Sequence, residues 1–414
     1  MAAFLLALTL VAGCSDAGQS GASDTTQADP ERAATISTTT TTATPTPARP
    51  ERDLSRYESR LQQALDEDIA ADPSLVAELL LVQSGNARWS GSAGVADPAT
   101  RAPSRPDMTL RIASVTKTFV AAATWRLIEE DRFTPTAPIS GLLPAELVSL
   151  LRAGGYNPDT ITVAQLLSHN SSVLDFTFGP GRDYVGRILA DPTRSWTREE
   201  QIAFAMDGDP VGAPGELYHY SDTGYGLLGA IIEVATGRPL GLAVRDLLDF
   251  DRLGLEHTYW EVAESAAPGS PDRLHQFFGD RDTYGWSPTI DLFGGGGLVS
   301  SLGDQAAFFR SLLAGEVFND PATLAAMMDV PPTNTDVRVP GDPTPYAAAS
   351  GLFRSTIDGV ECWGHDGFWG VAVRSCPSID VTIVRSISQA TPGPSYDRSR
   401  VGAILAEIIR AATI

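Results

Sequence analysis

The sequence predicts an α+β fold: an antiparallel sheet flanked by N- and C-terminal helices and interrupted by a mainly helical insertion. Three observations carry this expectation. Runs of strand character lie near both ends of the folded part, at residues 76–95 and again at 356–387. Helical spacing of apolar residues opens and closes it. Between them, residues 132–294 are rich in Pro, Gly and short helical stretches.

The elements follow in order. Leu54, Tyr57, Leu61, Leu65 and Ile69 recur at helical spacing, so an amphipathic helix comes first. Residues 76–82 are an apolar run suited to a buried strand, and Ser84-Gly85-Asn86 turns the chain into a second strand at 87–95. Residues 114–130 read as a helix with Phe119, Ala122, Ala123 and Leu127 on its buried side. Short helices are expected at 163–167 and 227–234, a strand at 296–300 and more strands within 356–387. A last helix at 399–411 should bury Val401, Ile404, Leu405 and Ile408. The sheet part is then 51–131 with 295–414, and the helical part 132–294.

The chain has 414 residues, 43% of them hydrophobic and 20% charged, enough for one large domain or two of ordinary size. Acidic residues number 51 against 30 basic ones, a formal charge of −21. Such a surface repels phosphate backbones, which argues against nucleic acid as a partner. Lys117 is the only lysine; every other basic residue is Arg. That exception points to a task Arg cannot perform, losing a proton near neutral pH.

Residues 2–12 form a short apolar stretch, and Val11-Ala12-Gly13-Cys14 looks like a bacterial lipobox, whose Cys14 becomes the lipid-bearing first residue after cleavage. No Lys or Arg precedes the run, a departure from the usual signal. Residues 1–14 are thus expected to be a signal peptide. Residues 15–50, with an unbroken Thr run at 38–42 and Pro45, Pro47 and Pro50, have the composition of a disordered stalk. The expected location is the outer face of a bacterial cell membrane, held by the lipid anchor, with the folded domain spanning 51–414. With Cys14 acylated, Cys362 and Cys376 remain to pair across the two arms of a hairpin. A bridge closing a loop of that length contributes about 3 kcal/mol in the chain-entropy model.

Ser114-Val115-Thr116-Lys117 sets a hydroxyl and the lone amine three residues apart, on one face of a helix and at its N-terminus, where the dipole favours negative charge. Pro214-Gly215 precedes Tyr220-Ser221-Asp222, and Trp363-Gly364-His365-Asp366-Gly367 follows near the C-terminus. In this order, these segments resemble the serine hydrolases of the class C β-lactamase and D-alanyl-D-alanine carboxypeptidase (penicillin-binding protein) superfamily. Leu166-Leu167-Ser168-His169, Gly295-Gly296-Gly297-Leu298-Val299-Ser300 and Leu253-Gly254-Leu255 with Thr258 extend the resemblance, which covers the chain from about Glu51 onward.

The resemblance implies a β-lactamase/transpeptidase-like fold and acyl transfer without cofactor or metal. It makes Ser114 the nucleophile, Lys117 its activating partner and Tyr220 the phenol that shuttles the proton. His365 takes the third-motif position on the strand bordering the site. Backbone N–H groups of Ser114 and Phe368, just past Gly367, would form the oxyanion hole. A free phenol titrates near 10, so Tyr220 as a base needs nearby positive charge, for which Lys117 and His365 are the candidates. His169 is expected to be structural, satisfying backbone groups beneath the site, while His219, His257 and His275 carry no signal. No histidine pair has metal-ligand spacing, and no Gly-x-Ser-x-Gly elbow occurs.

Two departures bear on substrate. Asp222 stands where the family usually has Asn, so a carboxylate there would pair with Lys117, weaken it as a base and remove two N–H donors for a substrate amide. His365 replaces the lysine of true β-lactamases and is closer to the carboxypeptidase and esterase branches. Ser172 also falls where many relatives have Gly. The expected activity is that of a D-Ala-D-Ala carboxypeptidase on peptidoglycan peptides. The alternatives are a carboxylesterase acting on small esters, a β-lactamase of the same fold, and, in another class, a non-catalytic wall-facing binding or sensor lipoprotein.

Overall fold

The computed structural model describes residues 53–177, 183–338, 345–390 and 400–413. Cys14, the lipobox and the stalk lie outside the described residues.

Helix α1 (Ser55–Ala71) buries Tyr57, Leu61, Ala64 and Leu65. Strands β1 (Ala77–Ser84) and β2 (Ala87–Asp97) form the expected hairpin, with Ser84 paired to Ala87. Short strands β3 (Ala102–Pro103) and β4 (Thr109–Arg111) lead to a 3₁₀ turn, Ala113–Val115, and helix α2 (Thr116–Glu129). The expected single helix at 114–130 is therefore a tight turn carrying Ser114, followed by an α-helix. Helix α2 is not amphipathic either: every residue from Thr116 to Trp125 is buried, because the helix runs through the core.

The helical part holds α3 (Ala145–Ala153), α4 (Val163–Leu167), α5 (Tyr184–Ala190), α6 (Arg198–Ala205), α7 (Asp222–Thr236) and α8 (Leu240–Leu248). It also carries two-residue strands, β5 (Tyr259–Trp260), β6 (Phe277–Phe278) and β7 (Arg281–Asp282). Then come β8 (Leu298–Ser301), α9 (Leu302–Leu313), α10 (Pro321–Met327) and β9 (Ala347–Ala348). Strands β10 (Phe353–Ile357), β11 (Val360–Gly367), β12 (Val371–Cys376) and β13 (Val381–Ser386) precede α11 (Arg400–Thr413).

Eight strands form one antiparallel sheet in the order β3-β2-β1-β13-β12-β11-β10-β9, which joins the N-terminal hairpin to the C-terminal strands through β1 and β13. The strand expected at 296–300 exists as β8 but belongs to a separate sheet, β4-β8-β5.

The apolar run in β1 is explained by burial on both faces, since its side chains alternate between them. Leu80 and Val82 pack with α1, α11 and Val381 and Ile383 of β13. Leu79 and Leu81 face the larger core with Phe119, Phe308 and Leu227. Helix α11 buries Val401, Ile404, Ile408, Ile409 and Ala412; Leu405, expected inside, is only partly buried at the edge of that stripe. A disulfide joins Cys362 to Cys376 across β11 and β12, and both sulfurs are buried in the layer under α1 and α11.

Candidate active site

The turn before α2 brings Ser114 to the surface of a cleft and Lys117 beneath it. Ala113, immediately before Ser114, has φ +46°, a left-handed conformation that is uncommon outside glycine. Ser114 is partly exposed, whereas Lys117 is wholly buried. An ammonium has three N–H donors. Lys117 Nζ directs them to Ser114 Oγ at 2.9 Å, to the Gly295 carbonyl at 2.6 Å and to the Asp222 carboxylate. The expected pairing of Lys117 with Asp222 is thus present.

Tyr220 arrives from a segment held against the loop after α4. That short helix starts on a capping box made by Thr162 and Gln165. Just past it, His169 adopts φ +58°. Its carbonyl accepts from His219 N at 2.8 Å and its Nδ1 from Ser221 N at 3.1 Å, while Gly215 N donates to the Asn170 carbonyl at 2.7 Å. His169 therefore satisfies backbone groups on both sides of Tyr220, as expected, and its imidazole also lies flat against the Tyr220 ring. The Tyr220 hydroxyl is hydrogen-bonded to Ser114. Because Ser114 Oγ already accepts from Lys117, its own proton is free for Tyr220.

Asp222 opens α7 behind its cap Ser221, whose Oγ accepts from Gly224 N. Its backbone N–H donates to Asp175, and its carboxylate accepts from Thr177 Oγ1 at 3.2 Å. Burial, and next the negative charge of Asp222, push the Tyr220 phenol well above its usual value; the hydrogen bond from Ser114 opposes them.

His365 lies in β11, is 1% exposed and stacks on Phe353. Its Nδ1 donates to the Asp366 carbonyl at 2.7 Å, and its Nε2 is buried without a hydrogen-bond partner. Burial, reinforced by the Lys117 charge, lowers its pKa to about 4, so at neutral pH it carries no proton charge. The expectation that His365 could lend positive charge to a Tyr220 phenolate is therefore corrected: it sits close enough to feel Lys117 but is kept neutral.

Gly367 explains how the β11–β12 turn reaches the site. A Cβ there would lie 2.3 Å from the carbonyl oxygen of Ile112, so only glycine lets the strand end press against the backbone just ahead of Ser114. Phe368 follows in the turn closed by Gly370 N to the Gly367 carbonyl, with its side chain on the cleft wall. The glycine run serves the opposite side. A Cβ on Gly296 would lie 2.0 Å from a carboxylate oxygen of Asp291, which occupies the space its absence leaves.

Asp291 is the site residue that motif reading missed. It ends a 3₁₀ turn, Pro288–Asp291, and lines the cleft beside Asp222. Burial first, then the Asp222 charge, push its pKa up against the pull of Lys117 and Arg111. Its only sequence signal is its place three residues ahead of the glycine run. The cleft, of about 220 Å³, also has rings of Tyr184, Phe278, Trp286, Phe368 and Trp369 in its lining, of which the motifs had pointed only to Phe368, and to its backbone rather than its ring. His257 and His275 contact Ser270 and Asp282 and do not line it.

A mixed helix and antiparallel-sheet fold that places a serine, a buried lysine and a tyrosine in one cleft defines a serine hydrolase of the β-lactamase and penicillin-binding-protein type. The chain belongs to the Beta-lactamase family, whose model matches residues 61–407. It is similar to esterase EstB of Burkholderia gladioli, 30% identical over 215 residues that cover 51% of this chain and 54% of that protein. It is also similar to the D-alanyl-D-alanine-carboxypeptidase/endopeptidase AmpH of Escherichia coli, 24% identical over 241 residues, 58% of each chain. The chain thus spans little more than half the length of these curated relatives. Among solved structures, a D-stereospecific amidohydrolase from a Streptomyces species superposes with a TM-score of 0.69 at 27% identity, over 83% of this chain and 97% of that one.

Proposed function

We propose that the protein is an acyl-transfer hydrolase of small esters and amides, working through a Ser114 acyl-enzyme. One observation carries this reading: Ser114 Oγ lies between the Lys117 ammonium, 2.9 Å away, and the Tyr220 hydroxyl, at the mouth of a cleft able to hold a substrate. Ser114 attacks the acyl carbonyl as its proton passes to Tyr220 in its deprotonated, phenolate form, while Lys117 stabilises the negative charge of the phenolate and of the serine oxygen. The oxyanion faces the backbone N–H groups of Ser114 and Phe368. Tyr220 then returns the proton to the departing alkoxide or amine, and water, giving its proton back to Tyr220, releases the acid.

Likeness to EstB and to the Streptomyces amidohydrolase supports ester and amide substrates. D-alanyl-D-alanine carboxypeptidase action on cell-wall peptides is the second reading, supported by the likeness to AmpH. It asks for a cation to receive the peptide's terminal carboxylate, and among the described residues lining the cleft none is basic while Asp222 and Asp291 are acidic. Release of D-alanine from a pentapeptide would bring that reading forward.

A fluorophosphonate is the test of the site. It labels Ser114 in the wild type and fails with Ser114→Ala; a wild type left unlabelled, and inert to penicillin, turns the protein into a binding or sensor protein of this fold. We also propose that the domain is exported and anchored through a lipid on Cys14, which metabolic labelling with a fatty-acid analogue would detect in the wild type and not in Cys14→Ser.

A further inference from the structure

The residues lining the cleft fall into two groups of different chemistry. One is polar: Ser114, Tyr220, Asp222, Asp291 and Thr177. In the other, four rings from three segments meet: Phe278 in β6, Trp286 ahead of the Pro288–Asp291 turn, and Phe368 and Trp369 in the β11–β12 turn. Phe368 lies against Phe278 at 5.9 Å between centroids and against Trp369 at 4.9 Å, and Trp286 meets Trp369 edge to face at 6.2 Å. Ile188 of α5 lines the same cleft and packs in the same apolar cluster as Trp286 and Trp369. Trp286 and Trp369 are buried, but Phe278 and Phe368 are only partly so, which leaves ring surface available inside the cleft.

From this division we infer that the ring-lined part is the acyl subsite and that it selects esters and amides whose acyl part is bulky and apolar, an aromatic ring above all. The inference rests on the acyl-transfer reading of Ser114 and deepens it. Tyr220 must protonate the leaving group, so that group stays with the polar residues beside the phenol. The acyl part, tethered to Ser114 Oγ, is left with the rings. Aromatic walls accept a flat ring edge-on or offset, and burying it releases water from apolar surface on both partners. A cleft of about 220 Å³ is small beside the roughly 300–1,000 Å³ of sites for drug-sized ligands, which suits one ring and its linker rather than a long peptide.

The test keeps the leaving group constant. p-Nitrophenyl acetate, butyrate and phenylacetate are compared by kcat/KM, each divided by the spontaneous hydrolysis rate of the same ester. The phenylacetyl ester should exceed the acetyl ester by roughly tenfold or more. Phe278→Ala should cut that ratio to within about threefold, by removing one wall of the subsite. Should Phe278→Ala fail to fold, Ile188→Ala removes another apolar part of the same lining and reads the subsite in the same way. A ratio near one, or one favouring acetate, overturns the inference while a burst of p-nitrophenol shows that the acyl-enzyme still forms. No burst with any ester, and no fluorophosphonate label on Ser114, overturns the acyl-transfer reading itself and the subsite with it.

Discussion

The phenol ring of Tyr220 lies face to face on the imidazole of His169, with ring centroids 4.4 Å apart and planes inclined by 25°. The same histidine accepts backbone N–H groups from the residues on either side of that tyrosine, His219 through its carbonyl and Ser221 through Nδ1. Ring and backbone of Tyr220 are thereby fixed by one neighbour.

His169→Ala should lower kcat roughly 10²-fold, as expected when a proton-transfer group is misplaced by a fraction of an ångström, with KM changing far less. His169→Asn, whose side-chain oxygen can still accept from Ser221 N, should recover part of that loss. Steady-state kinetics with one ester distinguishes this from a purely structural role, which would lower active enzyme concentration without the kcat-against-KM split.

Burial, reinforced by the Asp222 charge, holds the Tyr220 phenol in its protonated form, so the rate should rise with pH in the wild type. Asp222→Asn removes that negative charge. Lowering the phenol pKa makes its deprotonated form available earlier, so the rising limb of the kcat/KM profile should move to lower pH. A limb that stays in place, or moves upward, would show that the phenol does not govern it.

His365 titrates at about 4 in the fold, against 6.5 in the free side chain. The unfolded chain therefore binds a proton between these values that the folded one refuses. Its contribution to stability is complete above pH 6.5 and is lost progressively as pH falls toward 4, by up to about 3 kcal/mol. His365→Gln should flatten the fall in melting temperature over that interval, which thermal unfolding at several pH values would measure.

Replacing Cys362 and Cys376 together by Ser should cost about 3 kcal/mol of stability, read as a lower denaturant midpoint. Activity in native buffer should change little, because the bridge lies on the layer under α1 and α11, across the sheet from Lys117.

Much of this was legible in the sequence, for physical reasons. The helix expected at 163–167 has those bounds, and a Thr162–Gln165 capping box fixes its start. The hairpin of β1 and β2 announces itself through a glycine turn between runs of strand character. Ser114, Lys117, Tyr220 and Asp222 were found by order and type, and they meet. Two-residue strands such as β5 and β6 are too short for any periodicity to reveal. Asp291 ends a short 3₁₀ turn, Phe278 sits in a two-residue strand and Trp286 lies between such elements, so their place in the cleft is set by contacts from distant segments. Ser172, noted only as a departure, takes φ +64°, a backbone state that favours glycine.

With Lys117 sealed inside the fold and no second lysine anywhere, reagents that acylate or biotinylate primary amines meet no lysine on the protein's surface. Immobilisation, cross-linking and dye attachment through such chemistry will pass the described domain by. Conversely, a modified Lys117 in a peptide map would report that the core around α2 had come apart, which makes this one side chain a built-in gauge of unfolding.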